Sequence, residues 1–68
     1  MEVIDARGLS CPEPVILTRK AMASGAAEYM VLVDNHTSKE NVIRYGEHQG
    51  YQVSVREENG DYTLLLRK

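Results

Sequence analysis

The chain's only thiol lies in the segment Asp5-Ala6-Arg7-Gly8-Leu9-Ser10-Cys11-Pro12-Glu13-Pro14. A cysteine does its chemistry as thiolate, and the thiolate fraction is set by the charge around the sulfur. Proline suits the first helical position, where an N–H would have no intrahelical partner. It also disfavours helical geometry in the residue before it. The spacing therefore predicts a helix opening at Pro12 with Cys11 as its N-cap. The sulfur would then meet the positive end of the helix dipole, which lowers a thiol pKa. Arg7, with Arg19 or Lys20, would add positive charge. An N-cap side chain accepts from the second or third helical amide. The third is Pro14, which has none, so the Glu13 amide is the natural donor to the sulfur. The Glu13 carboxylate opposes thiolate formation, yet it suits the helix dipole or a basic partner. The chemistry such a segment offers is that of a nucleophilic thiol held in a stiff turn. A buried structural cysteine followed by ordinary helix punctuation fits the same spacing, because free cysteine is among the most buried residues. The charged Glu13 between the prolines favours exposure.

No other group competes with Cys11. One cysteine forms no internal disulfide. Two histidines and one cysteine make no familiar four-ligand zinc site. His36 reads as a loop residue and His48 as a late helix residue, both on the surface. Glu57, Glu58 and Asp61 read as a solvated hairpin tip. Tyr29, Tyr45, Tyr51 and Tyr62 read as core and rim packing. Lys39 and Arg44 fall on the second helix, as a solvated face or as docking charges for an acidic partner. The net charge of −2 and pI near 5.6 give no basic footprint for nucleic acid.

The elements that must position Cys11 fit one small domain spanning residues 1–68. A chain of 68 residues, 43% hydrophobic and 26% charged, is globular and not disordered. A domain of this size buries only about 60% of its unfolded surface, so the core is thin. Val3, Ile4 and Ala6 suggest a short first strand, with Arg7-Gly8 turning out of it. A helix from about Pro12 to Ser24 follows, with Leu17 and Ala21 on one face and Gly25 as its stop. Tyr29 to Val33 is a continuous apolar run that reads as a buried strand. Thr37 with Glu40 is a capping-box pattern for a second helix reaching about Gln49, and Gly50 ends it. Gly46 in that helix marks a close approach to a neighbour. Tyr51, Val53 and Val55 alternate with polar residues. Asn59-Gly60 is a strong hairpin signal before Tyr62, Leu64 and Leu66. The apolar second and fourth strands belong in the centre, and both helices cover one face. The expected fold is a βαβαββ two-layer α/β (α+β) sandwich with a mixed four-stranded sheet. The early charges of MEVIDARGLS exclude a signal peptide. No apolar run approaches the roughly 20 residues of a membrane helix. The expected compartment is the cytosol, where a lone thiol stays reduced.

The segment resembles the CPxP signature of the TusA/SirA family of small sulfur carriers. Asp5, Gly8, Leu9, Cys11, Pro12 and Pro14 match the family pattern DxxGLxCPxP. The resemblance extends over the whole chain, because the family fold is the same βαβαββ sandwich. It implies that Cys11 is a carrier nucleophile that accepts sulfane sulfur as a persulfide. The donor would be a cysteine desulfurase or another carrier, and the sulfur would pass to a downstream acceptor protein. No dissociable cofactor and no metal is implied, since the sulfur rides covalently on Cys11. Pro12 and Pro14 would set the active turn, with Asp5 and Gly8 shaping the loop before it. Arg7 and Glu13 complete the set of site-shaping residues. Within the family, Val33-Asp34-Asn35, Lys39-Glu40-Asn41-Val42 and Gln49-Gly50-Tyr51 look like the YedF-type N-terminal domain. That likeness argues against a tRNA-thiolation role and points towards selenium metabolism. YedF-like proteins often carry a second domain, so the chain reads as a stand-alone paralogue or as one domain of a longer protein.

Three functions compete. One is a persulfide-carrying sulfurtransferase. Another is a non-enzymatic interaction or regulatory module that uses the turn for docking. The third is nucleic-acid binding, suggested by a related two-layer fold in initiation factor three and opposed by the acidic balance.

Overall fold

Tyr29, Val31 and Val33 alternate with Met30 and Leu32, so every second side chain of that run can face one layer. In the computed structural model, which describes residues 2–10 and 12–68, this run is an interior strand with those three residues fully buried. The element order is β1 (Glu2–Asp5), α1 (Glu13–Met22), β2 (Glu28–Val33), α2 (His36–His48), β3 (Gln52–Glu58) and β4 (Asp61–Arg67). The sheet order is β1-β2-β4-β3, so the two apolar strands do hold the centre. β1 pairs parallel with β2, placing Ile4 opposite Val31. β4 runs antiparallel to both its neighbours, with Val31 opposite Leu64 and Val55 opposite Leu64 on the other side. Asn59 and Gly60 both take positive φ, 51° and 83°, the geometry of a two-residue hairpin turn.

Tyr29, Val31, Val33, Leu64 and Leu66 meet Val42 of α2 in the core. Pro14 and Thr18 are the buried residues of α1, and Ser38, Val42 and Gly46 form the buried stripe of α2. The Thr18 hydroxyl satisfies itself by donating to the Pro14 carbonyl at 2.8 Å. Gly46 is a close approach, as its position suggested. A Cβ there would stand 2.8 Å from Leu66 Cδ2 and 3.3 Å from Val53 Cγ2. The opposite face of the sheet carries Val3 beside Met30 and Leu65 with no helix over it among the described residues, and Val3 is 61% exposed. Among the described residues no helix is long and apolar enough to cross a membrane.

Both helices begin differently from the sequence expectation, and α1 also ends earlier, while α2 stops at Gly50 as expected. α1 starts at Glu13, with Pro12 outside it as the N-cap residue at φ −99°. It ends at Met22, two residues short of Ser24, because Ala23 and Ser24 tighten into a turn bonded to Lys20 and Ala21. Gly25 follows at φ 75°. α2 is capped by Asn35, whose Oδ1 accepts from the Ser38 amide at 2.8 Å. Thr37 is therefore inside the first turn, and His36 is helical and not in a loop. At the far end the Gly50 amide bonds the Glu47 carbonyl and the Tyr51 amide bonds Gly46, a Schellman stop built on Gly50 at φ 90°.

Candidate functional site

Because β1 and β2 are parallel, their C-terminal ends emerge together. β4 starts at that same end, since Val33 lies opposite Tyr62. The topology thus gathers the loop leaving β1, the turn into α2 and the beginning of β4 at one end of the sheet.

The loop is held from several directions. Asp5 Oδ1 accepts from the Arg7 amide at 3.2 Å and from Arg7 Nε at 2.9 Å, while Oδ2 accepts from Arg7 Nη2 at 2.9 Å. This fork holds the Asp5 carboxyl at about 2, well below its ordinary 3.8, chiefly through the side-chain hydrogen bond from Arg7. It also pushes the Arg7 guanidinium further up. Arg7 Nη1 reaches Asp61 Oδ2 at 3.5 Å. Gly8 turns at φ 81°, a left-handed conformation that favours glycine, and its amide donates to Asp34 Oδ2 at 2.7 Å. Leu9 packs against the core, its amide donates to the Ala6 carbonyl at 3.4 Å, and its carbonyl accepts from Asn35 Nδ2 at 3.5 Å.

Cys11 lies outside the described residues, and the N-cap position expected for it is taken by Pro12 because α1 starts one residue later. Its flanks are described. Ser10, Pro12 and Glu13 are exposed, and Pro14 is buried at the second helical position. The Glu13 amide, expected to face the sulfur, has a backbone partner among the described residues. It donates to the Ser10 carbonyl at 2.9 Å, because a helix that starts one residue later uses this amide to close the turn into it. The Glu13 carboxylate stands in the first turn of α1, on the dipole's positive end. Arg19 and Lys20 sit in the last turn of α1, about 9 to 10.5 Å along the axis from Glu13 at 1.5 Å per residue. Of the three expected cations only Arg7 stands at this end, and two carboxylates share its charge.

The sequence reading missed Asp34, Asn35 and Asp61. Asp61 is not merely part of a solvated hairpin tip but an ion-pair partner of Arg7. The available signal was positional: Asp34 and Asn35 directly follow a strand that must lie parallel to the one feeding the thiol loop. The tyrosine reading holds for Tyr29 and Tyr51, which are buried with rings edge to face at 5.8 Å. Lys39 is engaged, 3.6 Å from Glu40 and 4.9 Å over the Tyr62 ring. Arg44 and His48 are exposed and border a groove between α1 and α2 that begins at Pro12.

Comparison with known proteins agrees with this architecture. A relative from Methanocaldococcus jannaschii, named as a candidate sulfur carrier protein, is 37% identical over all of this chain and 95% of its own length. The crystal structure of a SirA-like protein from Desulfitobacterium hafniense superposes with a TM-score of 0.88. It is 39% identical, over 98% of this chain and 96% of its own. The family model described as sulfurtransferase TusA matches residues 2–68. With loop, sheet and helices all inside that match, the chain belongs to the TusA family.

Proposed function

We propose that the protein is a sulfur carrier that holds sulfane sulfur as a persulfide on Cys11 and relays it to a partner protein. The observation that carries this reading is the lone thiol in Cys11-Pro12-Glu13-Pro14, at the entry to α1, in a chain of the TusA family. The exposed flanks Ser10, Pro12 and Glu13 suit a sulfur exchanged between two protein surfaces.

The Cys11 thiolate attacks the outer sulfur of a donor persulfide. A new S–S bond forms on Cys11, the donor's S–S bond breaks, and its electron pair leaves on the donor thiolate, which takes up a proton. An acceptor thiolate then attacks the outer sulfur of the Cys11 persulfide, and Cys11 becomes the leaving group. The sulfane sulfur keeps its oxidation state, so neither step needs an oxidant or reductant. The chain contains no second cysteine to resolve the persulfide internally, so turnover passes through a partner. The donor is a cysteine desulfurase or another carrier, and a reducing cytosol keeps the thiol ready.

Intact-mass analysis after incubation with a cysteine desulfurase and cysteine tests the reading. The expected product carries one extra sulfur atom, removed by reductant and absent from Cys11→Ser, which still folds. No adduct under conditions that load an established carrier refutes it. A docking module would instead keep its partner binding in Cys11→Ser.

A further inference from the structure

We propose that the groove between α1 and α2 is the surface on which the sulfur donor seats an acidic, apolar-tipped segment; this rests on the carrier reading above. The groove has a volume of about 430 Å³ and is lined by Pro12, Val15, Asn41, Arg44, Tyr45 and His48. It is open along its length, so it receives side chains from a docked segment instead of enclosing a small ligand. Its Pro12 end is one peptide unit from Cys11, about 3.8 Å between Cα atoms. A segment seated there brings its protein to the thiol without any further contact.

The lining states the chemistry of the occupant. Pro12, Val15 and Tyr45 offer apolar surface. Among the described residues, Arg44 and His48 are the only ionisable side chains on the rim besides the Tyr45 hydroxyl, and no carboxylate lines the groove. The chain as a whole is acidic, at −2. Arg7, Lys39 and Arg67 are held by carboxylates of the same chain, whereas Arg44 has no ion pair among the described residues. An arginine and a tyrosine beside an apolar floor are the residue types that dominate binding energy at protein interfaces. Lys39, the other docking charge on α2, is taken up by Glu40 and the Tyr62 ring.

The test loads Cys11 by two routes. Cysteine desulfurase with cysteine requires docking. Inorganic polysulfide requires only the thiol, which attacks a sulfane sulfur and expels a shorter polysulfide. Arg44→Glu is expected to slow desulfurase-dependent loading roughly tenfold at subsaturating donor, the equivalent of about 1.4 kcal/mol. The deficit should shrink as ionic strength rises past about 0.1 M, where the Debye length is near 10 Å. Tyr45→Ala is expected to slow the same route with no salt dependence. Both variants should load from polysulfide at the unmutated rate. Desulfurase-dependent rates equal to the unmutated protein's overturn the docking assignment. Equal losses by both routes also overturn it, because the substitution then acts on the thiol or the fold. Failure of polysulfide to load the unmutated protein overturns the carrier reading itself.

Discussion

Asp34→Ala removes the tie between the thiol loop and the sheet, together with the longer hydrogen bond that Asn35 Nδ2 donates to Asp34 Oδ1 at 3.3 Å. The carboxylate accepts from the Gly8 amide at 2.7 Å, a short, charge-assisted bond of the kind worth about 1.5–3 kcal/mol when protected from water. Asp34 and Gly8 are both exposed, so water takes over the freed amide and no donor is orphaned. Solvent competition brings the expected loss down to about 1 kcal/mol, a factor of about five between docked and released loop. Global unfolding feels less of this than the roughly 4–8 °C that 1 kcal/mol moves the midpoint of a domain this small. The loop can let go while the sheet stays paired. The variant should therefore melt within a few degrees of the unmutated protein, load sulfur onto Cys11 a few-fold more slowly by both routes, and show faster hydrogen exchange at the Gly8 amide. Asp34→Asn keeps a carbonyl oxygen to accept from Gly8 and should restore most of the rate. An Asp34→Ala protein that loads at full rate refutes the reasoning. So does an Asp34→Asn protein as slow as the alanine variant, which would assign the effect to charge and not to the hydrogen bond.

Two further outcomes follow from the packing and the ion pair. Gly46→Ala forces a Cβ to within 2.8 Å of the fully buried Leu66 side chain. Overpacking costs about 1–3 kcal/mol against a helix-propensity gain near 1 kcal/mol, so urea titration should show a net loss of about 1 kcal/mol, and a stabilised variant would contradict the close contact. The Asp5 carboxyl titrates at about 2 in the folded protein against an ordinary 3.8. A depressed pKa contributes stability that is complete above the unfolded value and fades as pH falls from about 3.8 towards about 2. Carbon NMR should find this titration in the unmutated protein and a return towards 3.8 in Arg7→Gln; an ordinary value without mutation would rule out the fork.

The sheet was readable because its signals are local. The continuous apolar run Tyr29–Val33 and the alternation at Tyr62–Leu66, with Asn59-Gly60 between the last strands, fix pairing and centre without reference to distant residues. The cap of α2 was misread because Asn35, Thr37 and Ser38 are all competent caps within one turn. Asn35 is selected by a group 26 positions away, since its Nδ2 reaches the Leu9 carbonyl while its Oδ1 serves Ser38. The start of α1 was misplaced by one residue because Pro12 is as compatible with the cap position as with the first helical one, and the Ser10 carbonyl decides between them. The partners of the thiol loop were invisible for the same reason: Asp34 and Asp61 are unremarkable acids until the strand order places them beside Gly8 and Arg7.

β4, last in sequence, lies inside the sheet between β2 and β3. It supplies Leu64 and Leu66 to the core, and Asp61 at its start meets Arg7. The hairpin with β3 can form early because its contacts are near in sequence, but the union of that hairpin with β2 closes a loop of some thirty residues and sets the pace of folding. Before that event Tyr29, Val31 and Val33 lack Leu64 and Leu66 as core neighbours, and Arg7 lacks its second carboxylate. Folding of so small a domain is cooperative, so the presenting loop is assembled in the same kinetic step as the sheet. An incompletely folded molecule therefore lacks the loop that Asp34 and Asp61 tie to Gly8 and Arg7.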